Sequence, residues 1–233
     1  MTIYSGIFKY TLPTSEYDPA TYPYYNAGGS FTTLIDTTSV VGSDTLVEWE
    51  FVFDSALNSS DGLVCYNIFA SNGVNVHITD FGGIPLSKSG SCFKNFKGTF
   101  PADSANSPSF LPGGSLQSMI QGCTNFNQQI DHWDISGTRI MNNVFANATS
   151  FNQPINSWDT SLVYTCSLAF ANTLAFNQPL DAWDVSNITT MTNMFSGSAF
   201  NQPINNWNTS KVTNTSYMFN NTLFNKPLNN WDV

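Results

Sequence analysis

The stretch Phe-Asn-Gln-Pro-Leu-Asp-Ala-Trp-Asp-Val-Ser-Asn-Ile-Thr-Thr-Met-Thr-Asn-Met-Phe-Ser-Gly-Ser-Ala, residues 176–199, decides the fold, because the chain repeats it. Phe-Asn-Gln opens at Phe126, Phe151, Phe176 and Phe200, and Phe-Asn-Lys at Phe224, in steps of 25, 25, 24 and 24 residues. Seven residues after each Phe stands a Trp: Trp133, Trp158, Trp183, Trp207 and Trp231. A second aromatic column, Phe145, Phe170, Phe195 and Phe219, keeps the same step. Pro154, Pro179, Pro203 and Pro227 form another, with Gln129 in the first copy. Chance does not align four such columns.

A period of this length means stacked coils, each burying its apolar face against its neighbours. Trp183 and Val185 sit two apart, on one side of an expected strand, with Asp184 on the other. Ile188, Met191, Met194 and Phe195 then give an apolar stripe that predicts about two helical turns. Ser186 or Asn187 would cap that helix, and Gly197 would end it. Phe-Asn-Gln-Pro reads as the turn to the next strand. The expectation is an α/β repeat solenoid with one short strand and one short helix per coil.

The expected repeat core is the Trp column together with Phe145, Phe170, Phe195 and Phe219. Each buried Trp removes on the order of 200 Å² from water, a gross gain near 5 kcal/mol at about 25 cal/mol/Å², before ordering entropy. Exposed, the Trp column would instead be a stacking platform for sugar rings; the Trp-x-Val spacing favours burial. Asn127, Asn152, Asn177, Asn201 and Asn225 are expected to stack into an amide ladder. Cys166 falls in the Met191 column and Cys123 in the Ala148 column, so both read as small, inert core residues.

Trp-Asp-Val-Ser-Asn-Ile-Thr-Thr-Met-Thr-Asn-Met-Phe (183–195), followed by Ala-Phe-Asn-Gln-Pro (199–203), resembles the roughly 25-residue repeat of BspA-like leucine-rich-repeat surface proteins. The likeness covers Phe126 to Val233. It implies a leucine-rich-repeat-like solenoid in an adhesive or structural surface protein, and carries no catalytic residues over. Thr160 and Thr209 depart from its strand pattern, and Cys166 and Thr215 from its apolar stripe.

Upstream the pattern decays. Leu116, Met119 and Ile120 match the stripe of a coil without its Trp, and Phe93, Phe96 and Phe100 a still more degenerate one. Before these, Val47, Trp49, Phe51 and Phe53 alternate as a half-buried strand. Leu63–Ala70 is an apolar run, and Val74, Val76 and Ile78 alternate again, with turns at residues 58–62 and 71–73. This segment resembles a PKD-like β-module without the usual Gly-Asp-Gly after the Trp. The expected organisation is an extended N-terminal arm over 1–30, marked by Pro13, Pro19 and Pro23; a small β-rich module over 31–80; degenerate capping repeats over 81–125; and the solenoid over 126–233. The chain stops at Trp231-Asp232-Val233 in mid-coil, so further repeats are expected beyond 233.

Composition narrows the function. The 233 residues hold 7 Lys+Arg against 16 Asp+Glu, a net charge of −9. That is too few cations for phosphate-directed nucleic-acid binding. With 41% hydrophobic residues the chain can build a core, and no apolar run approaches the roughly 20 residues of a membrane span. Twenty-eight asparagines supply polarity without charge. Between Phe126 and Val233 there are six acids and three bases, so the repeats are nearly neutral. No basic stretch followed by an apolar core opens the chain, so no secretory signal is expected there.

Little chemistry is visible. His77 and His132 do not recur and have no Ser or Cys partner by spacing. Asp131/Asp134 and Asp181/Asp184, three apart on a strand, face opposite sides and read as solvated carboxylates. The acidic loop Asp54–Asp61 is a weak calcium candidate. The cysteines lack zinc spacing; Cys65 with Cys92 is the one pair to consider for a disulfide. Asn-x-Ser/Thr at Asn58, Asn147, Asn187, Asn208, Asn214 and Asn220 follows from composition. No catalytic residue, cofactor or metal is expected.

The expectation is therefore a non-enzymatic structural or adhesive protein at a virion or extracellular surface, foremost a fibre, spike or decoration protein of a large virus or phage. A secreted or wall-attached microbial adhesin is the alternative, and a carbohydrate-binding accessory module of an enzyme a third. Expected partners are capsid or surface proteins or a host receptor, with glycans as a further class, in a larger assembly.

Overall fold

The computed structural model describes the backbone of residues 4–13, 32–41, 44–53, 75–78 and 85–86, and residues 90–96, 98–100, 107–110 and 112–232. Cys65, the loop Asp54–Asp61, the run Leu63–Ala70 and the two turns beside it lie outside these residues.

Near the N-terminus four strands form one antiparallel sheet. They are β1 (Tyr4–Pro13), β2 (Thr32–Val41), β3 (Asp44–Phe53) and β4 (Asn75–Ile78), in the order β2-β3-β1-β4. β3 contains the expected Val47–Phe53 alternation and pairs Trp49 with Phe8. A register shift between Ile35 and Thr38 marks a bulge in edge strand β2. Tyr4–Pro13, which the proline count assigned to a separate arm, is instead an inner strand of this sheet. Phe8, Tyr10 and Leu12 alternate with Lys9 and Thr11, a period of two that the prolines hid. A short parallel pair, β5 (Pro85–Leu86) with β6 (Ser109–Phe110), follows.

From residue 112 onward the repeats stack in register. Isolated parallel bridges join Ser115, Ile140, Thr165, Thr190 and Asn214 in sequence. The last four fall seven residues after Trp133, Trp158, Trp183 and Trp207, not on the Trp-x-Val segment where the strand was expected. Trp183 N–H donates to its own Leu180 carbonyl, a local turn. Trp183 and Val185 are nevertheless both buried and Asp184 exposed.

The described residues contain no helix. Where one was expected, between a cap at Ser186 or Asn187 and Gly197, the chain makes consecutive turns over residues 192–197 with alternating hydrogen bonds. Met191, Asn193, Phe195 and Gly197 donate to Asn214, Ser216, Met218 and Asn220 of the next coil. Met194, Ser196 and Ser198 donate to the carbonyls three residues back. The physical reason is φ: Asn193 and Gly197 are left-handed, at 53° and 67°, and a right-handed helix does not pass through such residues. Each coil thus exchanges internal helical bonds for bonds to its neighbour. The same ladder runs through Leu116–Gly122, Met141–Asn147 and Cys166–Asn172. It also reaches the degenerate coil upstream, where Ser91, Phe93 and Asn95 donate to Gln117, Met119 and Gln121.

The core is an aromatic spine of two columns. Phe126, Phe151, Phe176, Phe200 and Phe224 stack at 5.8, 5.7, 6.2 and 6.2 Å. Phe145, Phe170, Phe195 and Phe219 stack at 5.4, 5.4 and 5.9 Å. The columns also stack on each other, 4.0 Å apart at Phe195–Phe200. Towards the N-terminus the stacking gives way to edge contacts, with Phe100 against Phe126 and Trp133. Phe93, Phe96 and Phe100 fill that coil, which has no repeat Trp.

Candidate interaction surface

Two sets of side chains build the outside of the coils by what they leave exposed. The first set is the inner ladders. Trp133, Trp158, Trp183 and Trp207 are 2–3% exposed, and Trp231 is half-buried. The indole N–H of Trp158 donates to Ile130 O at 3.0 Å. Trp183, Trp207 and Trp231 repeat this with Ile155, Leu180 and Ile204 at 2.9 Å. A buried polar handle paired in this way adds a directional bond to the apolar payload of the ring. No face of a buried Trp is open to a sugar, so the Trp platform reading fails for those four rings.

The second set is the amide ladder on the outside. Asn127 Oδ1 accepts the backbone N–H of Asn152 at 2.9 Å. Asn152, Asn177 and Asn201 do the same for Asn177, Asn201 and Asn225 at 3.0, 2.8 and 3.1 Å. Gln153, Gln178 and Gln202 lace the rungs through their Nε2 groups. The asparagines thus supply the pairing that the backbone supplies at the bridges. Beside this ladder the Pro154, Pro179, Pro203 and Pro227 rings are exposed.

The carboxylates are tied into turns. Asp134, Asp159 and Asp184 accept the backbone N–H two residues on, from Ser136, Ser161 and Ser186. Asn208 does the same for Ser210. These Asx turns stand where helix caps were expected. The Ser136 and Ser161 bonds hold the Asp134 and Asp159 carboxyls below the usual carboxylate range. Asp181 Oδ1 accepts from Asn156 Nδ2 at 3.0 Å.

The remaining candidates for chemistry stay apart. His132 is half-buried, its Nδ1 3.8 Å from Asp131 Oδ1. His77 lies on β4, opposite Lys9 in register. Cys123 and Cys166 are buried; desolvation pushes the Cys123 thiol up to about 12 and raises that of Cys166 as well. Such thiols stay protonated and poorly nucleophilic. Among the described residues no group of three His, Cys, Asp or Glu could hold a metal ion, and no helix is long and apolar enough to cross a membrane.

Sequence reasoning missed one feature. Leu162, Tyr164 and Leu168 are exposed on a single coil, and Tyr217 on another. Leu168 and Tyr217 also have left-handed φ, 59° and 57°, in a column otherwise held by Ser118, Asn143 and Asn193. The aligned repeats carry the signal: Leu168 and Tyr217 stand where the other copies have Asn or Ser, and Leu162 and Tyr164 where they have Gly, Asn, Lys, Arg or Thr.

No curated protein and no solved structure matches the chain. One family model does, described as "Mycoplasma protein of unknown function, DUF285", over residues 114–198 and 159–233. Its two matches span the stacked coils and more than half of the chain, and the chain belongs to this DUF285 family, a BspA-like repeat family.

Proposed function

We propose that this is a non-enzymatic structural and adhesive surface protein, built as a leucine-rich-repeat-like solenoid and carried on a virion as a fibre, spike or decoration protein. The observation that carries the reading is the outside of the coils. Asn, Gln, Pro, Ser and Thr recur there in fixed columns, one coil apart, held by ladders that leave each rung little freedom. Such a surface presents side chains at regular intervals to another macromolecule. Membership in a BspA-like repeat family supports a surface role. Its partners on this reading are capsid or surface proteins, or a host receptor.

The test is where the protein is found. Antibody detection on purified virus particles, at a stoichiometry that survives gradient purification, is the expected result. Detection only on microbial cell envelopes would replace the virion reading with that of a secreted or wall-attached adhesin. Saturable binding to one sugar on a glycan array, with no protein partner, would replace both with a carbohydrate-binding module.

A further inference from the structure

Two outer surfaces of the coils complement each other. On the first, Leu162, Tyr164 and Leu168 are 43, 43 and 36% exposed, while Val163, Thr165 and Cys166 between them are buried. The neighbouring coils are polar in the same columns, with Arg139 and Asn143 before and Thr189 and Asn193 after. An apolar centre inside a polar rim is the anatomy of a protein–protein contact. Leu168 adds an independent sign. Its left-handed φ strains a leucine, a conformation asparagine tolerates in the adjacent coils, and its side chain stays 36% exposed.

The second surface is the column of exposed prolines bordered by carboxylates. All six acids of residues 126–233 stand in the two columns headed by Asp131 and Asp134. Of the three bases in the same span, Arg139 and Lys211 stand in the columns of Tyr164 and Leu162. The patch columns therefore hold two bases and no acid, while all six acids stand in the edge columns, where Lys226 beside Pro227 is the one base.

We propose that copies of this protein associate side by side, the proline–aspartate columns of one seated on the Leu162–Tyr164–Leu168 patch of the next. Proline rings pack on a tyrosine face and leucine side chains, and the carboxylates approach Arg139 and Lys211. The patch stands on one coil, so each copy seats one neighbour there. Patch and edge are different surfaces, so the contact is heterologous: it closes into a ring or grows as an open row. This goes beyond the surface role proposed above and stands whether the carrier is a virion or a cell.

The experiment is sedimentation of the full chain over a concentration series, at low and high salt. Mass rising with concentration, and falling back in salt, is expected. The patch variant Leu168→Asn should weaken association about tenfold or more, a loss of about 1.4 kcal/mol or more, while its melting temperature holds or rises. An edge variant, Pro179→Ser with Asp181→Lys, should weaken it as well. Mixed together, the two variants should form one-to-one dimers, because each keeps the surface the other lost. A single-chain mass throughout would overturn the proposal and leave the patch to a different protein or a glycan. So would a Leu168→Asn protein that loses stability along with association, or variants that fail to complement.

Discussion

Two left-handed columns run down the coils, and their contrast separates folding from function. Gly122, Asn147, Asn172, Gly197 and Asn221 make one; Ser118, Asn143, Leu168, Asn193 and Tyr217 make the other. The backbone demand is the same in both. The first column meets it only with glycine and asparagine, the residues that tolerate positive φ. It is also crowded: a Cβ on Gly197 would lie 2.4 Å from Asn172 Oδ1 of the coil before. The second column admits a leucine and a tyrosine, and both stay exposed. A residue that breaks a local rule in this way is the first to test for a role outside the fold.

The largest effect expected is a reference for the rest. Phe195 is fully buried, stacks in both aromatic columns and lies between left-handed Asn193 and Gly197. Phe195→Ala should cost about 3–5 kcal/mol in denaturant unfolding; a cost below about 1 kcal/mol would mean the spine is not the core. Gly197→Ala comes next. Strain and the contact with Asn172 should remove about 2 kcal/mol, and an unchanged unfolding midpoint would erase the distinction between the columns. Leu168→Asn should shift stability the other way, by up to about 1 kcal/mol. A clear loss would show that Leu168 serves the fold after all.

The smallest effect is electrostatic. Serine hydrogen bonds hold the folded carboxyls of Asp134 and Asp159 below their unfolded value. Their contribution is therefore complete above the unfolded value of about 3.9 and is lost as pH falls through the lowered folded value. Asn208 makes the same turn without titrating. Asp134→Asn with Asp159→Asn should accordingly flatten the decline of melting temperature below about pH 4, with little change near neutrality. An equally steep decline would place the acid sensitivity elsewhere.

The aromatic, proline and asparagine columns were legible in the sequence because their period is long and their residues are distinctive. The helix was misread because spacings of three and one also arise when consecutive turns point every second or third side chain inward. The clue was Asn193 and Gly197, four apart, with Asn143 and Asn147 in an earlier copy. Both residue types are poor in helix interiors, and recurrence there argues for left-handed backbone. The bridges at Thr165 and Thr190 carried no such clue, since their pairing partner is the next coil and not a local pattern. The exposed patch was hidden for the opposite reason: attention to what repeats passes over the one coil that differs.

The unequal steps of 25 and 24 residues have a consequence for engineering. From each Phe-Asn to its second left-handed residue the count is constant: Phe126 to Asn147, Phe151 to Asn172, Phe176 to Gly197 and Phe200 to Asn221 each span 21 residues. The whole difference falls in the corner that follows, four residues from Asn172 to Phe176 but three from Gly197 to Phe200. That corner is a length-tolerant joint, and exposed Leu174 and Leu223 mark it on the surface. A short epitope or label inserted there would ride on the stack at a known rung, with the rungs on either side keeping their register.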